Sequence, residues 1–413
     1  MAISDSVSRY RWVVLGLAFT GQMNNALASL AVAPLAPLFQ PELGLTKAEV
    51  GFFSSAAYAG AWGILLVAGS MTDRVGVRTM MSAGQVATGL LMLAMGSVVS
   101  FAQAAAVMFA AGMGRGAVAP GVTKAILDWF PPKGRATAMG LKQAGVPVAG
   151  VLTASTLPAI GLVLGWRTAI ALVGLLIVAG GALTASLYRE APNLPHTVAR
   201  GYSPRSGLGE VLRNRALWVL SAVAVLFVTT QLALISYLAL YLNDVVLPAA
   251  VPDEAARIVA AGGYLALCQT GGVFGRIFWS VVSDRLFQGR RLVVLSIIGS
   301  LAAVISVVVG YLAPGCPLWV LAAIVFAYGA TAVGWNGLYQ ALIVETAGRR
   351  NAGTGVGLSM TLSQFGTVGG PLLFGFVVDT SGTYQTAWLL LACLSATGTL
   401  VSVLGARRET HYA

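Results

Sequence analysis

Gly69-Ser-Met-Thr-Asp73-Arg74-Val-Gly76-Val-Arg78 is a short charged turn between two long apolar runs, residues 46–71 and 79–100. Each run is long enough, at about 20 residues of helix, to cross a hydrocarbon core of roughly 30 Å. Reading outward from this turn, the same alternation of apolar run and short loop repeats along the whole chain. Twelve runs are expected, at residues 12–38, 46–71, 79–100, 103–130, 136–164, 167–188, 216–242, 257–283, 292–312, 317–346, 353–378 and 384–405. The run from residue 12 is too long for the apolar region of a signal peptide and is expected to stay as the first anchor.

Composition agrees with that reading. The chain has 413 residues, of which 57% are apolar and only 9% charged, with a mean hydropathy of +0.82. An average soluble domain carries about 25% charged residues, so this chain has too few to cover a water-facing surface. The expected fold class is an all-α membrane protein with two pseudo-symmetric six-helix bundles. The net charge of +11 would suit a nucleic-acid binder if it formed a patch. It does not, because most of the basic residues fall in alternate short loops and the tails.

Those loops hold Arg9 and Arg11, Arg74 and Arg78, Lys133 and Arg135, the run from Arg189 to Arg215, Arg285 with Arg290 and Arg291, Arg349 and Arg350, and Arg407 and Arg408. The opposite loops hold only Lys47, Arg167 and Arg257. Lys and Arg in short loops are retained on the cytoplasmic side during insertion. Both termini are therefore expected in the cytoplasm, in a multi-pass protein of a bacterial inner membrane.

The longest connection, residues 189–215, is rich in Pro, Gly and Arg and is expected as a cytoplasmic linker between bundles at 1–188 and 216–413. The two parts repeat weakly. Asp73-Arg74 after the second run is matched by Asp284-Arg285 after the eighth; Asp128, twelve residues before Gly140, is matched by Glu345, twelve before Gly357. Paired signals of this kind mark internal repeats, whose cargo sites lie near the membrane midplane. Gly145-Val-Pro147-Val-Ala-Gly150 is expected to kink the fifth helix.

The quoted turn from Gly69 to Arg78 resembles the signature loop of the major facilitator superfamily, and helix number, linker and orientation extend the resemblance over essentially the whole chain. In the family such loops latch the two halves when the outward side is open, which implies gating roles for Asp73, Arg74 and Arg78 and, in the second copy, for Asp284 and Arg285. The second copy departs from the pattern, with Ser280 in place of the leading glycine. Asp128-Trp-Phe-Pro-Pro-Lys-Gly-Arg135-Ala-Thr-Ala-Met-Gly140 is similar to segments of organic- and inorganic-anion carriers, and Gly275-Arg276 before Asp284 to monocarboxylate and oxalate-formate carriers. Asp128, Arg135 and Glu345 are expected at a cytoplasmic gate with the basic loop residues.

Four cations lie within apolar runs, where each costs roughly 2.5–3.5 kcal/mol on insertion scales. Lys124 is four residues before Asp128, the spacing of an intrahelical pair. Lys142, near the cytoplasmic start of the fifth run, has a stem long enough to snorkel, and a functional role is weighed equally against that. Arg115 is about 22 Å of helix from the cytoplasmic end of its run, and Arg276 about 12 Å inside Asp284. No carboxylate occurs at matching depth, so the counter-charge is expected to arrive with an anionic substrate, which a planar guanidinium binds in a bidentate manner. The bland alternative is that both arginines hydrogen-bond helix carbonyls or amide side chains.

Orienting groups are expected from helices that line the cavity in the family: Asn24 or Asn25, which cannot both face one way, Gln231 and Tyr237, and Asn336 with Tyr339 three residues on. Interhelical hydrogen bonding is the competing role for each. Tyr58 and Trp62 are expected mainly to pack between helices.

The sequence therefore reads as a secondary active transporter that moves a small organic anion, a mono- or dicarboxylate, by alternating access, with proton symport or exchange as coupling. A proton-driven drug exporter is the rival reading, weakened by deep cations where a lone membrane carboxylate would be its mark; a carrier of a neutral solute is the next. No enzyme is expected, since His196 and His411 lie in the linker and tail and no nucleophile or base cluster lies in the membrane. Cys268, Cys316 and Cys393 are scattered, so neither a metal, a disulfide framework nor a cofactor is expected. The expected partners are a small-molecule anion and membrane lipid, with no nucleic acid, and the working unit is expected to be a monomer.

Overall fold

The computed structural model describes the backbone of residues 2–191, 210–312 and 314–409, and their side chains except those of residues 2–8, 66, 132–137, 349–354 and 405–409. All regular structure among the described residues is helical. The helices are α1 (Ala2–Leu30), α2 (Val32–Glu42), α3 (Lys47–Val75), α4 (Val77–Met95), α5 (Phe101–Trp129), α6 (Pro132–Gln143), α7 (Gly145–Leu164), α8 (Trp166–Leu187), α9 (Arg215–Tyr241), α10 (Glu254–Arg285), α11 (Arg291–Gly310), α12 (Leu318–Tyr328), α13 (Asn336–Ser381) and α14 (Tyr384–Glu409). Two π-helical turns, Leu242–Val246 and Gly329–Val333, extend α9 and α12.

Joined across their breaks, these helices supply one segment for each expected run, but with bounds that hydropathy did not show. The first run is broken at Ala31, between α1 and α2. The fifth run is interrupted at Ala144, just before the segment expected to kink, with Ala144 itself near helical geometry (φ −64°, ψ −18°). Pro147 is then in the first turn of α7, where its missing N–H leaves no hydrogen bond unmade. The tenth and eleventh runs are not separated by a long loop; α13 is two helices that meet at a kink at Gly348, whose non-helical φ of 71° suits a residue without Cβ. By length and apolar composition, nine helices of the described residues can cross a membrane, or ten if the bent halves of α3, Lys47–Leu65 and Val67–Val75, form one span. The first run and α4 fall short because polar positions, among them Asn24, Asn25, Arg78, Gln85 and Thr88, dilute their hydropathy.

Contacts divide the chain into two compact units, residues 1–45 with 56–196, and residues 46–55 with 197–413. Of the expected linker at 189–215, residues 192–209 lie outside the described residues, as do His196 and His411.

In the first unit α4 packs on α5 and α8, and α1 packs on α5, α7 and α8. Val14, Leu17, Val77, Met81, Val122 and Ile126 form the core between them. α3 lies against α5 so closely that a methyl group on Gly112 or Gly116 would collide with the carbonyls of Ala57 or Ala61. Small residues permit this approach, and dispersion rather than water expulsion rewards it in lipid. In the second unit α9 packs on α13 and α14, α11 on α14, and α10 on α12 and the turn Gly329–Val333. Its core includes Phe227, Trp279, Leu295, Ile298, Trp335 and Leu338, with Trp335 edge-on to Phe227 at 5.6 Å. First with fifth, second with fourth and third with sixth segments thus pair in each unit.

The first turns of α3 belong to the second unit. Asp379 accepts from the backbone N–H groups of Lys47 (2.9 Å) and Ala48 (2.6 Å), two donors that the start of a helix leaves without partners. Lys47 Nζ pairs with Asp244 at 2.7 Å, and the Tyr384 hydroxyl donates to the same carboxylate at 2.8 Å.

On the rim of the first unit Glu42 closes α2 onto α8. It accepts from Arg167 and from Trp166 Nε1 (2.6 Å), while Arg167 also donates to the Val98 carbonyl at 3.2 Å. The hydrogen bond from Arg167, then that from Trp166, holds the Glu42 carboxyl below the usual glutamate range. A lowered carboxyl stabilises the fold above its unfolded value, about 4.3, and that contribution is lost as pH falls through the lowered folded value. Glu42→Gln is therefore expected to lower the thermal midpoint of the purified protein at pH 7 by roughly 2 °C. The gap between variant and parent should close below about pH 4 in the same thermal scans.

Candidate functional site

Arg115 lies midway along α5, about 21 Å of helix from either end. Gly112, one turn before it, and Gly116, the next residue, draw α5 onto α3, and the close approach sets the Tyr58 ring 4.9 Å from the guanidinium carbon. The Nε donates to Asn25 Oδ1 at 3.0 Å. Asn24 points the other way, as adjacent positions on a helix require, and donates to Gln85 Oε1 at 2.8 Å; Gln85 in turn donates to Thr184 Oγ1 and the Met81 carbonyl. With 8% of its surface exposed, Arg115 is buried, yet Nη1 has no hydrogen-bond partner and no described carboxylate pairs with it. Nε is thus committed to Asn25, the Tyr58 hydroxyl is a further polar neighbour, and Nη1, on the edge that takes a carboxylate end-on, is left without a partner among the described residues.

Arg276 in the second unit is built similarly. Gly275 permits α10 to rest on the Ala330 carbonyl, and Trp279 Nε1 donates to that same carbonyl at 2.8 Å. A π-turn frees carbonyls from their intrahelical partners, so this indole fills a vacancy that the turn Gly329–Val333 creates. The docking places Arg276 beside Gly337 of α13, about 14 Å along the helix from Arg285. Its Nε is buried without a partner among the described residues.

Next along α13, Asn336 donates to Gln231 Oε1 at 2.9 Å, and Trp335 Nε1 donates to the same oxygen at 3.0 Å. A cavity of about 80 Å³ adjoins them, lined by Asn336, Tyr339, Gln340, Ser359 and Ser363 together with apolar side chains. The Tyr339 hydroxyl is shared with Ser359 and the Leu220 carbonyl. Tyr237 is placed elsewhere: it is fully buried, its ring lies tilted by 30° against Phe374 at 4.6 Å, and it donates to the Lys47 carbonyl. Gln340, Ser359 and Ser363 were not singled out in the sequence, although each pair, 336 with 340 and 359 with 363, has the four-residue spacing that shares a helix face.

The two remaining membrane cations differ from their expected roles. Lys124 reaches from α5 to Asp73 of α3 at 2.5 Å, an interhelical pair rather than the intrahelical one its spacing to Asp128 suggested. Lys142 does not snorkel. It lies ten residues into α6, deeper than the expected start of the run implied, is 8% exposed, and donates to Thr123 Oγ1 of α5 at 3.1 Å.

The residues of the two charged loops form networks inside each unit. Arg78 donates from its guanidinium to the Ala185 carbonyl and from its backbone to Glu190 at 2.9 Å. In the second unit Arg291, one of the basic loop residues, takes the central place, meeting Glu345 through Nε at 2.8 and 2.9 Å and Asp284 at 3.4 Å. Arg74 and Arg285, the corresponding positions of the two loop copies, are exposed and have no partner among the described residues. Asp128 is at the end of α5, and the side chain of Arg135 lies outside the described residues. No group of three or more His, Cys, Asp or Glu among the described residues is arranged to hold a metal.

The scaffold around Arg115 is directly testable. Asn25→Leu removes the acceptor that holds Nε of a buried cation, which is expected to destabilise the protein by about 1–3 kcal/mol. A lowered midpoint in thermal unfolding of the detergent-purified protein checks this, with Arg115→Gln/Asn25→Leu expected to lose less than the sum of the single changes.

Comparison with known proteins gives the same picture at the level of the whole chain. A hexuronate transporter of Bacillus subtilis (strain 168) is 23% identical over 403 residues, spanning 95% of this chain and 93% of its own length. A probable sulfoacetate transporter of Cupriavidus necator is 22% identical, over 95% of this chain and 93% of its own. Among solved structures, a bacterial homologue of the human lysosomal transporter Spinster, inward-facing and unoccupied, superposes with a TM-score of 0.75 over 96% of both chains at 17% identity, which shows a shared fold. The family model described as Major Facilitator Superfamily matches residues 18–371. With most of its length matched by that model, this multi-pass membrane protein belongs to the Major Facilitator Superfamily of secondary transporters.

Proposed function

We propose that the chain carries a small organic anion, a mono- or dicarboxylate, across a bacterial inner membrane by alternating access, with both termini in the cytoplasm. One observation carries the reading: a buried guanidinium at the middle of α5 that meets no carboxylate among the described residues and whose Nη1 has no hydrogen-bond partner among them. Ionising a group there without a counter-charge is costly, and removing that cost is what an arriving anion does. Arg276 makes the same provision in the second unit. Asn25 fixes the rotamer of Arg115, while Gln231, Asn336 and Tyr339 present uncharged polar groups near Arg276. A hexuronate and a sulfoacetate share little chemistry besides small size and an anionic group, so the names of the two relatives support an anionic cargo and leave its carbon skeleton open.

Gating on the cytoplasmic side is assigned to the loop residues. Asp73, Arg78, Asp284 and Glu345 brace their own units, and Arg74 with Arg285 remain as the free charges of the two loop copies. Asp128 and Arg135 complete the proposed set. Coupling is either exchange for a second anion or symport of a proton with the cargo.

The cavity lined by Asn336, Tyr339, Gln340, Ser359 and Ser363 favours a second reading, a neutral polyhydroxy cargo, because no charged side chain lines it. Reconstitution separates the two. Liposomes loaded with D-glucuronate or sulfoacetate should accumulate the labelled acid by saturable counterflow, and Arg115→Gln or Arg276→Gln should reduce the rate by about 100-fold or more while the protein still elutes as a folded species. Uptake of neutral hexoses by the parent protein, undiminished in both variants, would establish the neutral reading instead.

A further inference from the structure

Lys142 is a buried cation that the site described above leaves unused. Its position ten residues into α6 sets it about 15 Å from the start of that helix, and 8% exposure means that it faces protein rather than lipid or bulk water. An ammonium group has three protons to donate. One goes to Thr123 Oγ1 at 3.1 Å, and that hydroxyl spends its own proton on the Ala119 carbonyl at 3.1 Å, so its lone pairs face the lysine. No described carboxylate pairs with Lys142. The other cations of this unit that meet acids do so elsewhere, Lys124 with Asp73 and Arg167 with Glu42.

Thr123 and Arg115 are on the same helix, α5, eight residues apart, or about 12 Å along its axis. The first unit therefore holds two buried cations without counter-charge, Arg115 at mid-depth and Lys142 one step nearer the end of α5 that leads to the Asp73 loop. On its opposite rim the cation Arg167 is already neutralised by Glu42. A structural lysine would meet an acid and a snorkelling one would meet solvent, and Lys142 does neither.

We propose that Lys142, held by Thr123, is a second contact for the transported anion, to which its carboxylate or sulfonate passes after leaving Arg115. The proposal rests on the anionic reading of Arg115, and the separation of the two contacts makes Lys142 a station in transit rather than part of the first binding event. Its removal should slow translocation more than it weakens initial binding.

The test uses the full-length protein in liposomes, with D-glucuronate and sulfoacetate as probes. Lys142→Met is expected to keep the thermal shift that either acid gives the parent protein and to raise its half-saturating concentration by at most about threefold, while cutting maximal counterflow by about tenfold or more. Lys142→Arg should recover most of the rate, whereas Arg115→Gln should lose both shift and transport. In the unmutated protein, carbamylation of Lys142 by cyanate, followed by peptide mass spectrometry, should be slowed by saturating acid, which keeps the test decisive if Lys142→Met fails to fold. Counterflow by Lys142→Met within about twofold of the parent, or carbamylation indifferent to either acid while the parent transports it, would overturn the role of Lys142 and leave Arg115 untouched. Absence of transport and of thermal shift in the parent with both acids would sink the anionic reading and this proposal with it.

Discussion

A guanidinium group held at the middle of a membrane helix, with one buried nitrogen unpartnered among the described residues, is the constraint around which the first unit is organised. The charge cannot be hydrated, so every neighbour must either satisfy it or leave room for something that will. Asn25 satisfies one nitrogen, the Tyr58 ring covers one face, and the glycines at 112 and 116 bring α3 close enough for that ring to arrive. The second unit meets the same constraint by another device, a π-turn whose spare carbonyl takes the Trp279 indole and seats the helix that carries Arg276. The proposed anion would be the remaining partner in both.

The contrast between rim and interior gives this arrangement its meaning. Charges near the membrane surfaces are compensated within each unit: Glu42 by Arg167 and Trp166, Asp73 by Lys124, Asp284 and Glu345 by Arg291, Asp244 by Lys47. Such pairs in partly exposed settings contribute little stability individually, but they fix where helices end and how loops lie. Deeper in, at Arg115, Arg276 and Lys142, the same chain leaves positive charge unanswered. A protein able to place carboxylates at its rims, yet with none against its buried cations among the described residues, is suited to receive negative charge from outside itself.

The two units use one packing plan with different local chemistry. First and fifth, second and fourth, and third and sixth segments meet in each, while the charged loop is closed by Lys124 in one unit and by Arg291 in the other. Helix pairing depends on small residues and shape, which tolerate much sequence change. Ion pairs depend on single side chains, which do not.

Hydropathy and the spread of Lys and Arg were enough to read a twelve-run membrane protein, its repeat and the depth of Arg115 and Arg276, because crossing lipid imposes a length and a composition that any window of sequence records. The contacts of individual polar groups were not legible in that way. Asn24 and Asn25 parted to different partners, Tyr237 turned to the Lys47 carbonyl, Lys124 crossed to another helix and Lys142 was buried where its stem suggested snorkelling. Each of those outcomes depends on which helix lies alongside and how closely, and a glycine–carbonyl approach between segments far apart in the chain leaves no periodic mark in either of them. Sequence alone determined what the chain must be surrounded by; the tertiary structure decided which charges have partners, since a counter-charge is a matter of distance in space and not of order along the backbone.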